Sequence, residues 1–232
     1  MNRPLTTLFL LQSLDGKIST GDVDERDVDK DFSKIEGVKE GLHQYYELEQ
    51  KTDLVSFNTG RVQAKVGAND KDLSQVEKTE VSFIIVDNQP HLNKNGSEYF
   101  AKKSKTFYLI TNNKNHPAFG LKPSYDNVQV LLYEEDIDFV DAFSKLKEQY
   151  GIEKMTIQTG GILNATLLRN NLIDRVSVVI APALIGGKNT PTLVDGASLR
   201  TVEDLTKIKP LKLIKNEALK DNYLHLQYEV VK

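Results

Sequence analysis

Three short segments of this 232-residue chain hold residue types and spacings able to do chemistry, and each follows an apolar run. The longest, Met155–Gly187, reads MTIQTGGILNATLLRNNLIDRVSVVIAPALIGG. Here a β-branched run meets Gly160-Gly161, and leucines at helical spacing follow. Paired glycines let a backbone approach a ligand closely, and a helix start presents free N–H groups to an anion. A pyrophosphate suits that arrangement. The same dipeptide also makes an ordinary strand-to-helix turn, its commoner use, and it is a weaker signal than a full GxGxxG. The second segment is Asn58-Thr59-Gly60-Arg61. A helix starting at Gly60 would bring its N-terminus and the Arg61 guanidinium onto one phosphate; the alternative is a solvated loop arginine. The third, Ser13-Leu14-Asp15-Gly16-Lys17-Ile18, contains the turn signal Asp15-Gly16, and taken alone it is a turn.

Other chemistries fare worse. With no cysteine there is no thiolate nucleophile, zinc-thiolate site, iron–sulfur cluster or disulfide scaffold. His43, His91, His116 and His225 form no HxxxH or HxH pair, and each reads as a surface or packing residue; no metal site is expected. Neither a GxSxG elbow nor a GxxxxGK[ST] phosphate loop occurs. The acidic run Asp22–Asp29 lacks the glycine and closing glutamate of a calcium loop and reads as a solvated loop.

Thirty Lys and Arg against 33 Asp and Glu leave a net charge of −3 with both signs spread along the chain, so no nucleic-acid partner is expected. No stretch approaches the roughly 20 apolar residues of a membrane span. The run Leu8–Leu11 is too short for a signal sequence. The expectation is a soluble, cytoplasmic protein.

Apolar runs predict strands near Thr6–Gln12, Leu54–Asn58, Val81–Asp87, Thr106–Thr111, Val128–Tyr133, Lys154–Gln158 and Arg175–Ala181. A closing antiparallel pair is predicted near Leu211–Asn216 and Tyr223–Val231, turned through Lys220-Asp221-Asn222. Phe139, Val140, Phe143, Leu146 and Tyr150 form a helical stripe capped by Gly151. A shorter helix opens at Gly160-Gly161 and ends near Asn170-Asn171. A third is predicted across Asp31–Gln50, burying Phe32, Ile35, Leu42, Tyr45 and Tyr46. Thr20–Lys30, Gly67–Lys78 and Gly186–Gly196 read as long surface loops. Strands alternating with helices, then an all-β end, predict one α/β domain over residues 1–232, with a mostly parallel central sheet and a C-terminal antiparallel hairpin.

Taken in order, SLDGKIST (Ser13–Thr20), NTGRV (Asn58–Val62) and the run Thr159–Gly187 resemble the C-terminal reductase domain of the riboflavin-biosynthesis deaminase/reductase. That family has the dihydrofolate-reductase-like three-layer fold, with helices on both faces of the sheet. The resemblance spans essentially the whole chain and is weakest between Gly21 and Ala101. It implies an NADPH-dependent reductase resembling 5-amino-6-(5-phosphoribosylamino)uracil reductase, which converts a ribosyl to a ribityl group. It further implies a pyrophosphate against Gly160, Gly161, Ile162, Leu163 and Asn164, and an adenosine 2′-phosphate against Thr59, Gly60 and Arg61. Asn88 is a weaker cofactor candidate. Asp15 is implied as the catalytic carboxylate nearest the substrate, or as a support for its loop, and Ser13 and Gln158 as substrate contacts. The implied substrate is a pyrimidine ribosyl phosphate, and the implied assembly a homodimer.

The sequence departs from the family on the substrate side. VQAKVGANDKDLS stands where a DDPxLT-like stretch is usual, Gln158 replaces a glutamate, and Glu49-Gln50 stands where an arginine is expected. Two alternatives therefore stay open: a reductase of the same fold with a different small-molecule substrate, or a nucleotide-binding protein that has lost catalysis. A zinc deaminase domain with its cysteine ligands is absent from this sequence.

Overall fold

The structure is a computed structural model and describes residues 2–232. In chain order its elements are β1 (Leu5–Ser13), α1 (Val28–Asp31), α2 (His43–Glu49), β2 (Val55–Thr59), α3 (Gly60–Lys65), β3 (Ser82–Val86), α4 (Lys94–Lys103), β4 (Phe107–Thr111), β5 (Val128–Leu132), α5 (Phe139–Glu148), β6 (Lys154–Ile157), α6 (Gly161–Arg169), β7 (Arg175–Ala181), β8 (Leu211–Ala218) and β9 (Leu224–Val230). They fall into two compact units, one formed by Asp53–Thr159 with the described residues 2–4, the other by Leu5–Thr52 and Gly160–Lys232.

In the first unit the strands run parallel in the order β5-β4-β3-β2-β6. Register assigns the two faces. Phe57, Ile84 and Tyr108 are aligned partners on one face, where Phe143 of α5 meets Phe57 edge-on at 5.3 Å and Tyr150 meets Tyr108 at 5.0 Å. Ile85 and Leu109 lie on the other, packed with Leu92, Phe100 and Ala101 around α4 and with Ala118 and Leu121 of a 3-10 turn. Strands covered on both faces become the near-continuous apolar runs of the sequence.

In the second unit the order is β1-β7-β9-β8, with β1 and β7 parallel and β9 antiparallel to both β7 and β8. The turn between β8 and β9 places Asp221 and Asn222 at positive φ, the conformation these short polar side chains tolerate. The core here gathers Phe9, Leu11 and Val179 from the strands with Val28, Phe32, Leu42 and Tyr45, and Tyr45 stacks on Phe9 at 5.2 Å.

The helix predicted across Asp31–Gln50 is instead two short pieces, a 3-10 turn at Phe32–Lys34 and α2. Gly37 adopts φ +82, which ends helical geometry, and Gly41 lies against the ring of Tyr223, 2.5 Å from where its β-carbon would be. Phe32, Leu42 and Tyr45 are buried as expected, but Ile35 and Tyr46 are exposed, because Ile35 is already extended and no single helical face runs across the segment. In α5, Val140 is likewise exposed and Ala142 takes its place in the core. Helix α4 was not foreseen from its pattern; its stripe is short and interrupted by Gly96, and its start is marked only by the Asn93 cap.

Candidate active site

In the first unit, the carboxyl ends of adjacent parallel strands present the candidate groups, the place where open α/β sheets bind ligands. Strand β2 ends at Thr59, whose Oγ1 accepts the Val62 N–H at 3.3 Å and caps α3. Gly60 is buried and Arg61 exposed. A β-carbon on Gly60 would lie 2.2 Å from Cγ of Asp87, so only glycine fits against that carboxylate.

Asp87 follows β3 and is fully buried. It accepts the His91 and Leu92 backbone N–H groups at 3.2 and 3.0 Å, His91 Nδ1 at 3.0 Å and His116 Nε2 at 3.1 Å. Burial works to raise its pKa, but the hydrogen bonds from His116, Leu92 and His91 outweigh it and hold the carboxyl below the usual range. Asn88, beside it, is exposed, and its Oδ1 accepts the Asn112 N–H at 3.2 Å.

Gln158 follows β6, which pairs with β2. Its Oε1 accepts the Ser56 hydroxyl at 3.0 Å, Ser56 Oγ accepts Asn58 Nδ2 at 2.7 Å, and Asn58 Oδ1 accepts Gln63 Nε2 at 3.0 Å. The relay aims the Gln158 amide by fixing its oxygen. The substituted loop lies close by in sequence, and Asn69 ties it down: Asn69 Nδ2 donates to the His91 carbonyl at 2.8 Å, and Asn69 Oδ1 accepts the Asn93 N–H at 3.0 Å, at the start of α4.

In the second unit, Ser13 closes β1 and is buried. Its hydroxyl donates to Asp15 Oδ1 at 2.5 Å and accepts the Lys17 N–H at 3.0 Å. Asp15 also accepts the N–H groups of Ile185 and Gly186 at 3.1 and 2.6 Å. The Ser13 hydrogen bond, aided by those two N–H groups against a small burial cost, lowers the Asp15 pKa to about 2. Lys17 reinforces the clamp, with Nζ donating to the Gly187 and Thr190 carbonyls at 2.8 and 2.9 Å.

Helix α6 starts after Gly160 without a side-chain cap, and open space surrounds the Gly160 α-carbon. Ile162 is exposed and Leu163 half-buried. Gly161 and Asn164 face the other way. Gly161 is covered by Thr192 and Asp195, and the buried Asn164 donates to the Leu193 carbonyl at 2.8 Å. Of the five residues expected at this helix start, Gly160, Ile162 and Leu163 are open to a ligand.

The twelve candidate residues thus gather at two places. Thr59, Gly60, Arg61, Asn88 and Gln158 belong to the first unit, while Ser13, Asp15 and the α6 start belong to the second. The sequence reading passed over His91 and Lys17. Asp87-His91 spacing alone carried no signal, because the residues between are not helical and only the fold turns the ring back to the carboxylate.

A family model for the RibD C-terminal domain matches residues 4–223. The chain belongs to the RibD C-terminal domain family. A relative in this family, the 2,5-diamino-6-ribosylamino-4(3H)-pyrimidinone 5′-phosphate reductase of Methanothermobacter thermautotrophicus, is 25% identical over 224 residues, 89% of this chain and 91% of its own length. RibD from Acinetobacter baumannii is similar in fold, with a TM-score of 0.68 at 16% identity, and matches 100% of this chain but only 59% of its own; the chain thus spans little more than half of that longer protein. The fold extends to the dihydrofolate reductase of Enterococcus faecalis complexed with NADP(H), at a TM-score of 0.51 and 10% identity, covering 98% of this chain and 97% of that one.

Proposed function

We propose that this chain is an NADPH-dependent reductase of a pyrimidine ribosyl phosphate, reducing the ribosyl group to ribityl. The observation that carries the reading is the open, uncapped start of α6 after Gly160, in a chain whose relative is named a reductase over 91% of its length. Residues 1–232 are read as one functional domain, active in the cytoplasm.

In this reading Gly160, Gly161, Ile162, Leu163 and Asn164 form the pyrophosphate site, with Gly160, Ile162 and Leu163 facing the ligand by backbone and Gly161 and Asn164 bracing the helix start against Asp195 and Leu193. Thr59, Gly60 and Arg61 take the adenosine 2′-phosphate, with Asn88 alongside. A guanidinium suits a phosphate dianion, which selects NADPH over NADH. When bound, NADPH supplies a hydride to the ribosyl carbon. Ser13 and Gln158 contact the substrate. Asp15, ionised at neutral pH, stands as a fixed negative charge nearest the substrate. It orients the substrate, or supports its loop through the Ile185 and Gly186 N–H groups.

A second reading, a reductase with a different small-molecule substrate, is favoured by one observation. The stretch that departs from the family pattern is tied to α4 through Asn69. We also propose a homodimer. Strand β8 is exposed along nearly its whole length, with Leu211, Leu213 and Ile214 each about half exposed, and Val202, Leu205 and Ile208 precede it equally bare. An edge of this kind is a template for pairing with a second copy.

The test is titration of the purified chain with NADPH and NADH, followed by turnover of the 2,5-diaminopyrimidinone and aminouracil ribosyl phosphates. Tight NADPH binding with turnover of either supports the reading. Binding without turnover moves it to the second reading, and no binding of either nucleotide overturns it.

A further inference from the structure

Asp87 holds two histidines, and they differ in what they have left over. His116 is fully buried and both of its nitrogens are used: Nδ1 accepts the Ala118 N–H at 3.2 Å, so Nε2 carries the proton and donates it to Asp87 Oδ2. That ring is complete as a packing element. His91 is one-third exposed, with side-chain exposure of 35%, and only its Nδ1 is engaged. Its Nε2 has no hydrogen-bond partner among the described residues.

The ring is nonetheless held firmly. A carboxylate can only accept, so Nδ1 of His91 must be the donor. The His91 backbone is fixed as well, its N–H on Asp87 and its carbonyl on Asn69. The following residue, Leu92, is fully buried and anchored on the second Asp87 oxygen. Gly60 presses on the same carboxylate, 2.4 and 2.5 Å from its oxygens at the β-carbon position. The His91 ring and the Gly60-Arg61 backbone therefore flank one buried carboxylate at the ends of two adjacent strands. A buried charge oriented onto a one-third-exposed imidazole is costly for packing alone; it is the arrangement by which proteins aim a ring nitrogen at a ligand.

We propose that His91 is a specificity-determining contact for the nucleotide, its Nε2 reading the phosphate on the adenosine 2′-oxygen alongside Arg61. The inference rests on the NADPH reading above and adds a residue to it. Arg61 supplies charge; His91 supplies a directional hydrogen bond donated from Nε2. Asp87 is the charged group behind the ring, and the neutral His116 ring donates to the other oxygen of that carboxylate.

The experiment uses the full chain and two probes, 2′,5′-ADP and 5′-ADP, which differ by that one phosphate. Affinities are measured for the unaltered protein, His91→Ala and His91→Gln, and the histidine ring nitrogens are followed by ¹⁵N NMR. Removing His91 is expected to weaken 2′,5′-ADP about ten-fold and 5′-ADP less than about two-fold, the former equivalent to ~1.4 kcal/mol. The His91 Nε2 resonance is expected to shift with 2′,5′-ADP only. If His91→Ala is poorly folded by circular dichroism, His91→Gln carries the same comparison. Equal losses for both probes, or a His91 resonance that stays put while 2′,5′-ADP binds, overturns the proposal and leaves the NADPH reading intact. If the unaltered protein binds the two probes equally, both fall together.

Discussion

Gly60 and the buried carboxylate of Asp87 are in such close contact that a β-carbon on the glycine would sit 2.2 Å from Asp87 Cγ. The carboxylate cannot retreat, because four hydrogen bonds hold it. Gly60→Ala is therefore expected to destabilise the fold by about 1–3 kcal/mol, the usual cost of forcing an extra methyl into a packed site. Gly160→Ala is the matched control: its β-carbon meets open space at an ordinary backbone conformation, so stability should stay within about 0.5 kcal/mol. Urea denaturation of the two variants checks the contrast, and a larger loss at Gly160 would refute it.

Replacement of Arg61 by alanine should weaken NADPH binding by about 10- to 100-fold, the worth of one charge-assisted pair, and NADH binding far less. Fluorescence titration with both nucleotides measures the two constants. Parallel losses would take the 2′-phosphate role away from Arg61.

Acid should loosen the second unit by a defined route. Asp15 and Asp31 both have carboxyls lowered to about 2, Asp15 mainly by the Ser13 hydroxyl and Asp31 mainly by the Thr20 hydroxyl with Lys34 behind it. A carboxyl lowered in the folded state adds stability that is complete above its unfolded value near 3.8 and is lost as pH falls from there toward 2. Melting temperature should accordingly drop between about pH 4 and pH 2. Asp15→Asn and Asp31→Asn should each be less stable at neutral pH and show a shallower acid limb. An unchanged limb in both would rule these carboxyls out as its source.

Leu213→Glu, placed on the exposed β8 edge, should convert a dimer to monomers without lowering monomer stability by more than about 0.5 kcal/mol, since the side chain is half exposed. Light scattering after gel filtration reads the mass. A monomer in the unaltered protein at micromolar concentration would defeat the dimer proposal outright.

How much of this was legible beforehand varies with the element. Strand β7 was predicted at its observed limits, Arg175–Ala181, and the strands of the first unit within two residues, because a strand buried on both faces needs an unbroken apolar run. The turn at Asp221-Asn222 and the α6 start at Gly160-Gly161 were equally plain, since few residue types accept those conformations. The helix across Asp31–Gln50 failed for the opposite reason. Its apolar spacing is helical, but Gly37 and the approach of Tyr223 to Gly41 override local preference.

The order of elements, the parallel sheet and the segments bearing Asp15, Gly60-Arg61 and Gly160 were determined by the sequence itself, through apolar runs, glycine placement and residues adjacent in the chain. Tertiary structure alone decided which of those groups are spent. It turned Asn164 inward onto Leu193, closed Asp15 onto Ile185 and Gly186, and left Gly160 open. It also brought His91 and His116 onto Asp87 from 4 and 29 residues away. Those choices depend on hydrogen bonds between distant residues, whose partners exist only after the chain has folded, so no local pattern encodes them.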